Sequence, residues 1–172
     1  LDAAVSIPNY AIAWCLLKEV VHGAEDPTVY VNGASGGVGT AVIDLARELG
    51  FSVIAGAGSA EKCTFAASLG AEHTVDYSAG PVVDRVLELT DGRGVGLILD
   101  QRVGPNFTDN LEMLAPLGTI VSFNALAGLP ETETFSQMRA HLAKSPGIRC
   151  FSWHTFDSDA ETRQRILGEI ID

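Results

Sequence analysis

The residues best placed to do chemistry are Gly33-Ala34-Ser35-Gly36-Gly37-Val38-Gly39. The run follows a β-rich stretch, Thr28-Val-Tyr-Val-Asn32, and opens a stretch with helical periodicity. Ala34, Gly36 and Gly39 stand at the three glycine positions of a G-x-G-x-x-G turn, so the first position carries a methyl group. Such a turn suits a pyrophosphate. Gly36 has no Cβ to keep the anion from the backbone, and Gly39 lets the helix pack closely on the strand. The new helix aims its free N–H groups and positive dipole end at the negative charge. The motif alone is weak. A strand before it, a helix after it and a second strand on schedule make it much stronger.

The end of that second strand distinguishes the dinucleotides. A site for NAD places Asp or Glu about 20 residues after the glycines, on the ribose 2′-hydroxyl. Here the stretch reads Phe51-Ser-Val-Ile-Ala-Gly-Ala-Gly-Ser-Ala60, without an acid. Gly56 and Gly58 are expected to leave space, and Ser59 offers a hydroxyl. Lys62 falls in the first turn of the next helix, where a cation opposes the helix dipole unless an anion sits beside it. A 2′-phosphate is such an anion, so the pattern points to NADPH rather than NADH. The plainer reading is a solvated Lys62 paired with Glu61 or Glu72, a contact of small energy.

Other chemistries fit less well. Gly33-Ala-Ser35-Gly-Gly37 also matches the G-x-S-x-G nucleophile elbow, with Asp100 and His141 or His154 following in order. An elbow of that kind normally comes after several strands, whereas this turn follows the first. A methyltransferase lacks its ribose-binding acid here, and no tyrosine has a lysine four residues later, as a short-chain dehydrogenase requires. His22, His73, His141 and His154 are scattered, and so are Cys15, Cys63 and Cys150. Neither set has metal-ligand or disulfide spacing, and the thiols read as reduced.

These residues need a rigid frame. The chain has 172 residues with 47% hydrophobic and 19% charged, which suits one folded domain and excludes disorder. A net charge of −11 repels nucleic acid, and no apolar run is long enough to cross a membrane. Strands are expected at Thr28–Asn32, Ser52–Ala55, His73–Asp76, Gly96–Asp100, Gly118–Phe123 and Gly147–Phe151. Their nearly continuous apolar character is that of strands covered on both faces. Helices are expected from Pro8 as first helical residue to Val21, ended by His22-Gly23, and at Val38–Leu49, Ser59–Leu69 and Pro81–Leu89. Others are expected at Phe107–Leu114, Glu133–Lys144 and Ala160–Asp172. The alternation predicts an α/β, Rossmann-type, doubly wound parallel sheet of about six strands, with helices on both faces.

The chain resembles the nucleotide-binding domain of medium-chain dehydrogenase/reductases, on the quinone-oxidoreductase-like branch. The resemblance rests on Ile7-Pro8 with Ala13-Trp14, Asn32 to Gly39, Ala57 to Lys62, Leu69 to Tyr77, Thr90 to Val95 and Ile120 to Phe123. It implies hydride transfer from NADPH to a quinone or enone. It implies that Ala34, Ser35, Gly36, Gly37 and Val38 surround the pyrophosphate and that Gly58, Ser59 and Lys62 hold the 2′-phosphate. Tyr77 would lie by the adenosine half, and Gln101, Arg102, Phe123 and Asn124 would approach the nicotinamide side. Two positions depart from the pattern: Arg102 stands at a usual Val, and Asn124 at a usual Gly.

The resemblance also implies that residues 1–27 form an inter-domain helix, 28–152 the core, and 153–172 a return towards a separate catalytic domain. The chain is accordingly expected to be a single nucleotide-binding domain cut from a longer protein, with no catalytic residue and no metal of its own. A cytoplasmic homodimer paired through the last strand is the expected setting. Alternatives are the cofactor domain of a zinc-dependent alcohol dehydrogenase or a non-catalytic NADPH sensor.

Overall fold

Val29 and Val31 point to one side of the first strand and Tyr30 to the other, and all three are buried. The sheet is thus covered on both faces. The computed structural model describes residues 2–20 and 26–171. Six strands, β1 (Thr28–Asn32), β2 (Ser52–Ala57), β3 (His73–Asp76), β4 (Val95–Asp100), β5 (Leu114–Ser122) and β6 (Gly147–Cys150), form one sheet in the order β3-β2-β1-β4-β5-β6. All neighbours pair in parallel. The direction of winding reverses between β1 and β4, which opens a crevice at the carboxyl ends of the strands. One register row crosses that edge: Val75, Gly56, Asn32, Asp100, Ser122 and Cys150.

Helix α1 (Asp2–Trp14), α2 (Gly37–Glu48) and α7 (Ala160–Ile171) cover one face, where Leu16, Ile43, Ala46 and Ile166 pack on Val29, Val31 and Leu99. α4 (Val82–Leu89) and α5 (Asn110–Met113) cover the other, where Val86, Leu111 and Met113 meet Tyr30, Ile54 and Ile98. α3 (Ala60–Ser68) joins β2 to β3, and α6 (Thr134–Ala140) precedes β6. Residue Glu133 caps α6 by accepting from the Phe135 and Ser136 amides, and those bonds hold its carboxyl below the usual range.

Several local expectations change, and one is that Glu133–Lys144 is not a single helix but α6 followed by a 3-10 turn, Leu142–Lys144. Pro8 lies inside α1, which extends back to Asp2, and is not its first residue. The helix then widens into a π-helical turn, Cys15–Glu19, closed by the Val20 amide on the Cys15 carbonyl at 2.9 Å. The wider turn lets Cys15, Leu16, Leu17 and Val20 all enter the core. The expected end at His22-Gly23 lies outside the described residues. Phe107–Leu114 is not one helix: a 3-10 turn, Phe107–Asp109, leads into the single turn of α5, and Leu114 joins β5 opposite Val95. Phe107, Leu111, Met113 and Leu114 are all buried, too broad a set for one helical stripe.

Candidate cofactor site

The glycine turn is fixed from three sides. The Gly33 and Ala34 amides donate to the Gly56 carbonyl at 3.0 and 2.9 Å, which ties the turn to the end of β2. Gln101 Nε2 donates to the Gly33 carbonyl at 2.8 Å. A Cβ on Gly39 would stand 2.6 Å from Ala34 Cα, so only glycine lets α2 sit this close to the turn. Ala34 is fully buried, and its methyl is accommodated at the first fingerprint position.

No side chain caps α2 at Gly36, and the first amide of the helix with a backbone partner is that of Thr40, on the Gly36 carbonyl at 2.8 Å. The amides at Gly37 and Val38 therefore have no backbone partner among the described residues and are free for an anion, with Ser35 half-buried beside them. The donor set fits a pyrophosphate. Asn9, from α1, lies over Gly37: a Cβ there would stand 2.6 Å from its Nδ2. Nothing in the local sequence pointed to Asn9.

The space left by Gly56 and Gly58 is already filled. A Cβ on Gly56 would strike the Tyr30 hydroxyl, and one on Gly58 would lie 2.8 Å from the Tyr77 ring. These glycines accommodate aromatic rings rather than leaving open room for a ligand. Ser59 caps α3, its Oγ accepting from the Lys62 amide at 3.3 Å, which leaves the hydroxyl proton free to donate. Lys62 is exposed, and among the described residues it forms no ion pair. Glu72 instead accepts from Ser52 Oγ.

Tyr77 follows Asp76, whose carboxylate accepts from the Ser78 amide and hydroxyl at 2.9 and 2.6 Å and is held below its usual range by those bonds. Arg102 lies over the Tyr77 ring at 4.5 Å and donates from Nη1 to the Tyr77 hydroxyl at 3.2 Å. Gln101 thus turns to the glycine turn after β1, and Arg102 to Tyr77 after β3. Phe123 and Asn124 lie on the β5–β6 side. They border an apolar cavity of about 530 Å³ together with Cys150 and Phe151. Asn124 Oδ1 accepts from the Ala125 amide at 2.8 Å.

Asp100 organises the centre and is fully buried. Oδ1 accepts from Asn32 Nδ2 (3.0 Å) and from the amides of Arg102 (2.8 Å) and Val103 (3.0 Å). Oδ2 accepts from Asn110 Nδ2 at 3.0 Å. The carboxylate is satisfied by dipoles alone, and it bends the chain so sharply that Val103 takes a φ of +56°. The Tyr30 phenol is pushed up by burial and then by the nearby Asp100 charge. Tyr30, Asn32, Tyr77, Asp100 and Arg102 border a second cavity of about 370 Å³ on the β3 side of the crevice. Among the described residues no three His, Cys, Asp or Glu side chains gather to hold a metal.

A profile of zinc-binding dehydrogenases matches residues 37–165, from the first turn of α2 into α7. The chain belongs to that family. It stands on the quinone-oxidoreductase-like branch of these medium-chain dehydrogenases. The rat quinone oxidoreductase-like protein 2 is 38% identical over 128 residues, 74% of this chain and 37% of that protein. Among solved structures, a mycobacterial protein in complex with NADPH aligns at a TM-score of 0.84 with 30% identity, over 95% of this chain and 50% of its own. The nucleotide-binding subdomain of the enoylreductase domain of PpsC from Mycobacterium tuberculosis aligns at 0.81 with 27% identity, over 96% of this chain and 92% of its own. The chain thus spans little more than a third of the rat relative and nearly all of the subdomain.

Proposed function

We propose that this chain is the NADPH-holding half of a reductase that moves a hydride to a quinone or an enone. The observation that carries the reading is the end of β2. Gly58 and Ser59 bring no carboxylate, and exposed Lys62 follows within the first turn of α3. A ribose 2′-hydroxyl would want an acid there; a 2′-phosphate wants a cation and donors. The mycobacterial relative solved with NADPH supports the same choice.

The bound nicotinamide supplies the hydride, and the protein fixes its position. The Gly37 and Val38 amides, with Ala34, Ser35 and Gly36 shaping the turn, hold the pyrophosphate. Ser59 and Lys62 hold the 2′-phosphate beside Gly58, and Tyr77 borders the adenosine. Phe123 and Asn124 border the nicotinamide. Residues 28–152 do this work. Residues 1–27 and 153–172 connect it to a catalytic domain that brings the acceptor and the proton. Two copies pair through the free edge of β6 in the cytoplasm, where three free thiols are ordinary.

The likeness to the PpsC subdomain favours one narrower acceptor, an enoyl thioester, whose activated double bond takes hydride as an enone does. The test is oxidation of NADPH by the full-length protein, followed by loss of reduced-nicotinamide absorbance. Turnover with quinones or enones supports the reading. Turnover with enoyl thioesters alone selects the narrower one, and oxidation of NADPH with none of the three contradicts both.

A further inference from the structure

Arg102 is a half-buried cation with no carboxylate partner among the described residues, in a chain of net charge −11. Its backbone is pinned by the Asp100 bond to its amide. Its guanidinium carbon lies 4.5 Å from the centre of the Tyr77 ring, with one hydrogen bond to the ring hydroxyl at 3.2 Å. Tyr77 is in turn packed on Gly58, where a Cβ would stand 2.9 Å from that same hydroxyl. Arg102 is thereby held from the loop after β4 against Tyr77, whose hydroxyl side packs on Gly58 at the end of β2, one residue before Ser59.

One Nη1 bond leaves most of the five guanidinium donors unused. A guanidinium seated over an aromatic ring and tethered at its hydroxyl loses less freedom when its fork takes the oxygens of a phosphate monoester. The surrounding field is acidic, so an anion can gather here only where such local donors outweigh it.

We infer that Arg102 is a specificity-determining residue: with Tyr77 as its platform, it grips the nucleotide 2′-phosphate opposite Lys62. The inference rests on the NADPH reading above and adds a second cation to it. Arg102 then contributes to NADPH and not to NADH, whereas a residue that merely packs on Tyr77 would contribute to both alike.

The experiment is calorimetric titration of this chain and of its Arg102→Val and Arg102→Lys variants with NADPH and with NADH. Arg102→Val is expected to weaken NADPH roughly tenfold or more, as loss of a charge-assisted bond does, while NADH stays within about twofold. Arg102→Lys is expected to recover part of the NADPH affinity, because it keeps the charge and loses the fork. Equal weakening of both nucleotides, or unchanged NADPH binding, overturns the role of Arg102 while leaving the NADPH reading intact. A wild-type chain that binds NADH as tightly as NADPH overturns both.

Discussion

The Cβ that Gly39 lacks would lie 2.6 Å from the Cα of Ala34 and 2.7 Å from its carbonyl carbon and oxygen. All three contacts are to backbone, so no side chain can yield. Gly39→Ala is expected to push α2 away from the turn and lower stability by about 1–3 kcal/mol, as overpacking does. Nucleotide binding should fall further than stability, because the free amides at Gly37 and Val38 move with the helix. A urea titration and a nucleotide titration measure the two effects separately. Native stability in the variant would mean that the helix is less tightly seated than these distances require.

Asp100 accepts four hydrogen bonds while fully buried. Asp100→Asn turns one acceptor into a donor facing Asn32, Asn110 or the loop amides. A cost of about 1–3 kcal/mol is expected, the usual penalty of a buried unsatisfied donor. A denaturant midpoint equal to that of wild type would show that the network can reorganise around an amide.

Leu117 is exposed and holds a φ of +61°, directly after Pro116 in β5. A branched aliphatic side chain is strained there, and little packing is lost on removing it. Leu117→Gly is expected to stabilise the chain by about 0.5–1 kcal/mol, the relief of strain exceeding the extra freedom of the unfolded glycine. A lower melting temperature would show that the Leu117 side chain packs more than its exposure indicates.

Burial raises the Cys15 thiol from 9.0 to about 12, with the Glu19 charge adding to the effect. The Tyr30 phenol is raised in the same direction. Both groups keep their protons in the folded chain at a pH where the unfolded chain loses them. Stability from Cys15 is therefore fully present below about pH 9 and is lost as pH climbs towards 12. Melting temperatures should fall across that window, and Cys15→Ala should flatten part of the fall. A flat profile in the wild type would contradict the burial of both groups.

Much of the frame is legible in the chain because its signals are local. β1 and β3 fall where their short β-rich runs place them. The glycine turn and the Ser59 cap are read from residues within a few positions of one another. The parts that were not legible depend on distant partners. Gln101 meets Gly33, and Asp100 meets Asn32, each across 68 positions. The open space expected at Gly56 and Gly58 is taken by Tyr30 and Tyr77, and only their packing in three dimensions shows it. Arg102 was visible as an odd residue at its position, but Tyr77, which gives it direction, lies 25 residues earlier.

The central claim is that the crevice between β1 and β4 holds a dinucleotide carrying a 2′-phosphate. Its most direct test is calorimetric titration of this chain, and of Lys62→Ala, with NADPH and with NADH at low and moderate salt. The account predicts tighter binding of NADPH, a preference that shrinks with salt and that Lys62→Ala reduces while NADH binding is unchanged. Equal affinity for the two nucleotides in the wild-type chain, or a preference that survives Lys62→Ala in full, would contradict it.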